Sequence, residues 1–245
     1  MSWEHIETYY DQNGVLSERA TFNDNGVVRV ASFTDGVRSQ IFQYDNPNEA
    51  GGGVKSWDRI EAYYDHNGNL TENATFYDNG IMRAEQWDGG QRKQTMQEDT
   101  SDIKSWETHT TIFDPVTGQV GGIAIVYDNG VQRDTVYRDG VRMIEETRDA
   151  SDAFSWDNKV SFFAPDGVRL GSETSMHNGD RIIFAFQDED GQRDWRLEVD
   201  GDNSELWAYR VTEYDVDGIN PVVTTYDSIT DLSSPYVDSL GLMVI

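Results

Sequence analysis

The sequence predicts an all-β fold made of tandem repeats of about 50 residues, each with about four short antiparallel strands. Three observations support this prediction. A Ser-Trp dipeptide recurs along the chain, glycines recur at nearly constant distances behind each tryptophan, and the segments between the glycines are rich in Val, Ile, Thr, Tyr and Phe. Two arrangements remain open: an open stack of meanders, which we favour, and a closed β-propeller with four-stranded blades.

The opening tryptophans set the repeat length. They are Trp3, Trp57, Trp106 and Trp156, spaced by 54, 49 and 50 residues, and Trp207 follows 51 residues later. We expect each of the first four to pack in the core of its own or the adjacent repeat, because stacked repeats bury their apolar faces against one another.

These spacings divide the chain into four repeats and a remainder. The repeats cover about residues 1–54, 55–103, 104–153 and 154–205. Residues 206–245 form a partial fifth repeat and an apolar C-terminal tail. A single repeat of this kind cannot bury its own apolar face, so the copies are expected to stack.

The glycines predict where the strands turn. In the first two repeats they follow the tryptophan by 11, 23 and 33 residues, and most are preceded by Asn or Asp. Asn-Gly and Asp-Gly tolerate positive φ and are typical of hairpin turns. We expect turn positions, most with positive φ, at Gly14, Gly26, Gly68, Gly80, Gly118 and Gly130.

The segments between the glycines alternate as strands do. Leu16, Ala20 and Phe22 fall on one face of the second strand, since successive side chains of a strand point to opposite faces. The third strands carry an arginine at one equivalent position in each of the first three repeats, namely Arg29, Arg83 and Arg133. No segment shows a convincing 3.6-residue apolar stripe, so no helix is predicted.

The charge of the chain narrows the classes of partner. Its 19 Lys and Arg residues stand against 45 Asp and Glu residues, which gives a net charge of −26. Nucleic acids and anionic membranes both require basic surface, so neither is an expected partner. No apolar run approaches the roughly 18 residues of a membrane span, and cysteine is absent. The composition suits a soluble acidic exterior and predicts a thin core.

Acidic clusters near the C-terminus are candidates for a calcium site. They lie in the segments DEDG, DGDNSE and DVDG and contribute Asp188, Asp190, Asp200, Asp202, Asp215 and Asp217. Carboxylates two residues apart are ligands that Ca²⁺ accepts. The complete EF-hand loop is absent, and Asp-x-Asp-Gly also occurs in ordinary turns. A calcium site and a set of plain turns are therefore both open.

The recurring Trp and Arg residues have two alternative roles, ligand binding and stabilisation of the stack. The set comprises Trp3, Trp57, Trp106, Trp156, Arg29, Arg83 and Arg133. Aromatic rings stack on sugars and arginine binds hydroxyls, which would make a glycan-binding surface. Equivalent residues of adjacent repeats also stack on one another, and an Arg over an aromatic ring contributes about 0.5–1 kcal/mol when exposed. We favour the structural role.

The sequence does not predict an enzyme. The four histidines, His5, His66, His109 and His177, are not linked by spacing to each other or to a carboxylate in a metal or catalytic motif. The nucleophile elbow, the phosphate-binding loop and the zinc-protease helix motif are all absent. With so many carboxylates in the chain, a close pair of acids would not by itself indicate acid–base catalysis.

The YD segments and the Ser-Trp openings carry a resemblance to a known group of proteins. The recurring forms YDxNGxL and YDNGxxR are similar to the YD-type and RTX-associated acidic hairpin repeats of bacterial proteins that are exported by type I secretion. The C-terminal segment YVDSLGLMVI resembles the uncleaved C-terminal signal of that pathway. The resemblance implies a location outside the cell or on its surface. The same tail could instead be a last strand docked on the sheet, or a peg that inserts into a partner.

These features predict a non-enzymatic extracellular structural or adhesive module with no cofactor, unless the acidic clusters hold Ca²⁺. Two other classes stay open: a subunit of a virion, tail or filament, and a calcium- or glycan-binding module. The expected partners are other protein subunits, further copies of the chain, or a glycan or other ligand on a cell surface.

Overall fold

The structure is a computed structural model that describes residues 3–45, 55–186, 193–215 and 221–241. Within these ranges it contains 18 β-strands, a short 3₁₀-helix and one α-helix. The predicted all-β fold class is therefore confirmed. The chain divides into two compact units, unit 1 at Met1–Gly121 and unit 2 at Gly122–Ile245.

Unit 1 is built from short strands of similar length. They are β1 (Trp3–Tyr10), β2 (Leu16–Asn23), β3 (Val27–Thr34), β4 (Val37–Asp45), β5 (Trp57–Tyr64), β6 (Leu70–Tyr77), β7 (Ile81–Asp88), β8 (Gln91–Asp99) and β9 (Trp106–Phe113). The next strand, β10 (Val120–Tyr127), contains the residue at which unit 1 ends. Each opening tryptophan of unit 1 is the first residue of a strand.

Unit 2 continues the pattern and ends in two helical segments. Its further strands are β11 (Val131–Arg138), β12 (Val141–Asp149), β13 (Trp156–Phe163), β14 (Arg169–Met176), β15 (Arg181–Phe186), β16 (Arg193–Val199), β17 (Tyr209–Glu213) and β18 (Val222–Tyr226). The 3₁₀-helix Ile229–Asp231 and the α-helix α1 (Ser234–Gly241) follow. Trp156 again opens a strand, β13.

Backbone hydrogen bonds follow the order of the strands within each unit. The pairing is antiparallel and continues where one repeat gives way to the next. In unit 1, β4 pairs with β5 through Ile41 and Ala62, and β8 pairs with β9 through Thr95 and Thr111. In unit 2, β12 pairs with β13 and β16 pairs with β17. A propeller keeps each four-stranded blade as a separate sheet, so these ladders exclude the propeller and confirm the open meander.

The predicted turn glycines have left-handed backbone conformations. Gly14, Gly26, Gly68, Gly80, Gly118 and Gly130 have φ between 71° and 82°, which confirms the prediction. The third turn of the first repeat places Asp35 at φ 51° and Gly36 at φ 79°. Two successive positive φ angles are the mark of a type I′ turn, whose twist matches that of the strands it joins.

The core is thin, as the composition predicts. Twelve apolar side chains are buried in the described ranges, while side chains on both faces of most strands stay partly exposed. In unit 1 the buried positions carry small or medium side chains such as Ala20, Ala31, Ile41 and Ala74. The faces of these strands are therefore covered mainly by their own cross-strand neighbours.

The opening tryptophans are less buried than expected. Trp57, Trp106 and Trp156 are half-buried, whereas Trp3 is 59% exposed. The prediction of a core position is wrong for Trp3. Its side chain lies at the end of the β1–β2 ladder, beyond a register shift between Trp3 and His5, where few neighbours can cover it.

The C-terminal segment contradicts two expectations, because it contains a helix and that helix is docked. Helix α1 replaces the last strand that the tail was considered to form. Ser233 and Pro235 are typical of a helix N-terminus, and the amides of Tyr236 and Val237 donate to the carbonyl of Ser233 at 3.1 and 3.3 Å. The segment through residue 241 is not a free peg, and residues 242–245 lie outside the described residues.

Helix α1 covers the largest buried cluster of unit 2. Leu232 and Tyr236 join Ile183, Leu197 and Val211 in this cluster. The three strand residues are direct cross-strand partners on β15, β16 and β17, so they share one face of the sheet. The helical segment therefore provides the second layer that this face needs to become a core.

Polar contacts fix the orientation of the helix on the sheet. The Tyr236 hydroxyl donates a hydrogen bond to Glu213 on β17, and its ring meets Trp195 edge to face with centroids 5.2 Å apart. Burial, together with the hydrogen bond to Glu213, raises the pKa of Tyr236 to about 12. The phenol therefore stays protonated and keeps donating throughout the neutral range.

Replacing Leu197 with Ala should destabilise unit 2 by about 2–5 kcal/mol, because the side chain is fully buried and its removal leaves a cavity in the cluster. Urea unfolding followed by far-UV circular dichroism measures the loss. Val223 on β18 is 56% exposed and provides the control. Val223→Ala should change the free energy of unfolding by less than about 0.5 kcal/mol, and equal losses for both variants would contradict a core at Leu197.

Candidate functional site

Two of the predicted calcium ligands meet a third acid in unit 2. Asp200 and Asp202 lie in the loop between β16 and β17, and Asp180 precedes β15. One carboxylate oxygen from each lies within 4.8 Å of the others. We call these three residues the aspartate cluster. Of the remaining predicted ligands, Asp215 follows β17 and does not belong to the cluster, while Asp188, Asp190 and Asp217 lie outside the described residues.

Backbone amides hold the carboxylates of the cluster in place. Asp200 accepts from the amides of Ser204 and Glu205 at 3.1 and 3.0 Å, and Asp202 accepts from the amide of Ser204 at 3.0 Å. Asp180 accepts from the amide of Gly201 at 2.9 Å. The three aspartates are thus held in place while the residues themselves stay exposed or half-exposed.

Asp200 has a structural counterpart in earlier repeats. Asp99 and Asp149 also lie seven residues before a tryptophan, and each accepts a hydrogen bond from the amide five residues later in its loop. Asp200 accepts from Glu205 in the same way. The carboxylate at this position therefore organises the loop between repeats, whether or not a metal binds nearby.

Asp180 and Asp202 differ from the residues at the equivalent positions of the second and third repeats. The residue directly after the second turn glycine is Ile81 in the second repeat and Val131 in the third, but Asp180 in the fourth. The residue two positions after the shared loop aspartate is Ser101 or Ser151 in the earlier loops, and Asp202 here. The fourth repeat has therefore gained two carboxylates around the one that all these loops share.

The two serines show what the earlier loops do at this position. The Ser101 hydroxyl donates to the carbonyl of Asn79 at 2.8 Å, and the Ser151 hydroxyl donates to the carbonyl of Asn129 at 2.7 Å. In the fourth repeat the contact is reversed, because the side-chain amide of Asn178 donates to Asp202 at 3.1 Å. The contact between loop and turn is kept, and a negative charge is added.

The added charge is present at neutral pH. Hydrogen bonds from the side chain and the amide of Ser204 lower the pKa of Asp202, so its carboxylate is ionised well below neutrality. Ionised carboxylates this close repel one another, and a bound cation relieves the repulsion. Oxygen ligands of this kind suit Ca²⁺, with water completing its coordination.

A second group of polar side chains lies on the preceding loop. The Nε2 atom of His177 is 3.1 Å from Asp157 and 3.9 Å from Asp152, and all three residues are exposed. The sequence linked His177 to no carboxylate, because Asp152 and Asp157 precede it by 25 and 20 residues. Only the pairing of β13 with β14 brings them together.

The Trp and Arg residues of the proposed ladder make local contacts. Trp156 stacks on Phe154 with ring centroids 5.3 Å apart. The ring centroids of Trp106 and His109 lie 6.1 Å apart. Among the described residues no ring contact joins two of the opening tryptophans.

The arginines of the same set also act locally. Arg83 forms an ion pair with Glu85 at 2.8 Å, and Arg133 lies 5.6 Å from the ring centroid of Tyr127. Arg29 is exposed and pairs across the strands with Thr21 and Gln43. None of these three described contacts extends from one repeat to the next.

A different set of arginines contacts aromatic rings across repeat boundaries. Each lies two residues after the third glycine of its repeat and faces the last residue of the next repeat's first strand. The pairs are Arg38–Tyr64 at 5.6 Å and Arg92–Phe113 at 5.6 Å in unit 1, and Arg142–Phe163 at 3.9 Å in unit 2. The recurring Gly-x-Arg was the signal in the sequence that could have identified them.

No family model and no curated protein matches the chain. Among solved structures, it is similar to a candidate 6-phosphogluconolactonase from Bacteroides uniformis, at 12% identity over 91% of this chain and 96% of that chain, with a TM-score of 0.20. It is also similar to Sqt1 of Saccharomyces cerevisiae, at 12% identity over 90% and 83% of the two chains, with a TM-score of 0.19. These TM-scores are too low for either similarity to bear on fold or function.

Within the described ranges, no helix has the length and apolar character that a bilayer crossing requires.

The loop aspartates should make the stability of the protein depend on acid pH. Burial opposes the ionisation of Asp149, but hydrogen bonds from Phe154, Ala153 and Ser151 outweigh it and lower its pKa. A folded-state pKa below the unfolded value of about 3.9 contributes stability above that value, and the contribution is lost as the pH falls through the folded pKa.

We therefore expect Asp149→Asn to melt at a lower temperature than the wild type at pH 7, with the difference shrinking below about pH 4. Thermal unfolding followed by circular dichroism from pH 2 to pH 7 measures the difference. The control is Asp128→Asn, because Asp128 is exposed in the turn between β10 and β11. A difference that stays constant with pH would show that the Asp149 charge is not involved.

Proposed function

We propose that this chain is a non-enzymatic structural or adhesive repeat module that acts outside the cell. The observation that supports it most directly is the hydrogen-bonded ladder that continues from one repeat into the next, through β4 and β5 in unit 1 and through β12 and β13 in unit 2. Such a ladder makes each repeat part of its neighbour's sheet, and repeat proteins use this continuity to present extended binding or scaffolding surfaces.

The acidic exterior is consistent with the same role. A meander has strand edges, and exposed edges tend to pair with other chains. A net charge of −26 opposes such pairing between copies and keeps the protein soluble. A subunit of a virion, tail or filament would need the same properties and is the alternative within this class.

Export is testable with a truncation that leaves the core intact. In a host that expresses a type I secretion apparatus, the full chain should appear in the medium. A chain ending at Gly241 keeps helix α1 but lacks the last four residues of the apolar tail, and it should stay inside the cell if the tail carries the signal. Immunoblots of medium and lysate measure the distribution.

Two results would count against this proposal. Retention of the full chain beside a functional apparatus, shown by export of a known substrate, argues against type I secretion. If both chains leave the cell but only the full chain sediments as a large particle, the tail is an assembly element and the virion or filament alternative is favoured.

The aspartate cluster supports a second function, the binding of Ca²⁺. The specific observation is that Asp180 and Asp202 replace an apolar residue and a serine beside the shared Asp200. Carboxylates added at two separate positions of one repeat, and brought together by the fold, form an oxygen-rich site that a hard cation prefers. Calcium bound there would tie the β16–β17 loop to the turn before β15.

Calcium should raise the melting temperature of the wild type through this cluster. At about ten times its dissociation constant, a ligand of the folded state alone shifts the midpoint of a chain of this size by roughly 3–6 °C. Asp202→Ser installs the residue of the earlier repeats, so the variant should fold and lose the shift. Asp128→Ser removes an equal charge outside the cluster and should keep it.

The measurement is differential scanning fluorimetry with millimolar CaCl₂ in a constant background of about 0.15 M NaCl, because salt alone screens repulsion between exposed charges. Loss of the calcium shift in both variants would indicate a general charge effect. An unchanged melting temperature of the wild type would leave the cluster as a loop contact.

A further inference from the structure

A cleft of about 300 Å³ lies in unit 1 at the boundary between the first and second repeats. One wall is the turn that joins β3 to β4, and the other is the turn that follows β5. Polar groups on its walls come from Thr34, Asp35, Arg38, Tyr64 and His66. The cleft is remote in sequence from the aspartate cluster, and neither proposed function uses it.

Local contacts hold both walls. The first wall is the type I′ turn at Asp35 and Gly36. In the second wall, Asp65 accepts from the amides of Asn67 and Asn69 at 2.9 and 2.8 Å and from the Asn69 side chain at 3.0 Å. The hydrogen bond from the Asn69 side chain, followed by those from the amides, lowers the pKa of Asp65. The cleft therefore exists before any ligand binds.

The equivalent turns of later repeats lack these polar groups. Where the second repeat has Tyr64 and His66, the third has Phe113 and Pro115 and the fourth has Phe163 and Pro165. The fold thus accepts Phe and Pro at these positions. The phenol and the imidazole of the second repeat are not required by the turn, and both are among the residues that line the cleft.

The arginine of the cleft is shared with the later repeat boundaries. The guanidinium of Arg38 lies 5.6 Å from the ring centroid of Tyr64, as that of Arg92 lies 5.6 Å from the centroid of Phe113. Arg38 and Tyr64 both line the cleft. The polar groups that distinguish this boundary are therefore the phenol of Tyr64 and the imidazole of His66.

The charge of the lining selects the class of ligand. Asp35 and Asp65 carry two negative charges against one positive charge on Arg38. The excess negative charge disfavours an anion. The described residues form no group of three metal-ligating side chains at this cleft, which disfavours a divalent cation. A neutral ligand rich in hydroxyl groups fits best.

We propose that this cleft binds a neutral hexopyranose unit of a glycan. The apolar face of the sugar ring lies against Tyr64, as aromatic rings in binding sites provide a flat apolar surface with a polar tip. Its hydroxyls donate to the Asp35 carboxylate and accept from Arg38, while His66 supplies a further donor or acceptor. The inference goes beyond the structural role proposed above and does not require calcium.

The test uses the full chain and two neutral probes, methyl β-glucopyranoside and methyl β-galactopyranoside, at millimolar concentration. Saturation-transfer difference NMR should detect binding of at least one probe. The double substitution Tyr64→Phe and His66→Pro installs the residues of later repeats and should weaken binding at least tenfold. The matched control is Tyr10→Phe with Gln12→Pro at the equivalent turn of the first repeat, which should bind as the wild type does.

Three results would overturn the proposal. These are no saturation of either probe by the wild type, equal binding by the Tyr64/His66 variant, or binding of the anion gluconate in preference to both glycosides. Far-UV circular dichroism verifies that the variant is folded. Should the double variant unfold, Arg38→Gln alone keeps the test valid, because it removes the guanidinium that donates to the sugar hydroxyls and should weaken binding while leaving the turn after β5 unchanged.

Discussion

The backbone ladder between adjacent strands is the interaction on which the rest of the structure depends. In unit 1 the first strand of one repeat completes the hydrogen bonds of the fourth strand before it, as Ile41 and Ala62 show. Because much of the sheet has no second layer, side chains are stabilised mainly by cross-strand neighbours. Two kinds of contact recur at the boundaries between repeats for this reason. One is an arginine beside an aromatic ring, and the other is an aspartate that accepts a hydrogen bond from a loop amide.

The C-terminal helix shows what a face of this sheet requires to become a core. On β16 the side chains that face the helix are Trp195, Leu197 and Val199, whereas the equivalent positions of β8 carry Gln94, Met96 and Glu98. The fourth repeat carries apolar side chains at all three positions, where the helix lies on them, whereas the second repeat carries polar side chains at two of the three. The apolar side chains of β16 and helix α1 therefore belong to one structural adaptation, which gives this face of the sheet a second layer.

Most of the fold was predictable because its determinants are local. Turn glycines such as Gly14 and Gly68 act through their own φ angles, and strand alternation acts over a few residues. The helix was not predicted because it forms around the cluster on β15 to β17, which lies far away in sequence. The aspartate cluster was only half predicted for the same reason. Asp200 and Asp202 are neighbours in sequence, but Asp180 reaches them only through the pairing of β15 with β16.

Comparing equivalent positions of the repeats within this chain distinguishes residues that the fold requires from candidate functional residues. Asp149 and Asp200 share one position and one hydrogen bond, from the amide five residues later, so the carboxylate there serves the loop. Asp202 and His66 stand where other repeats carry a serine and a proline. The scaffold tolerates those simpler residues, and polar groups that a scaffold does not need are the ones that binding can explain. In a chain with a net charge of −26, this distinction is more informative than the density of acidic residues.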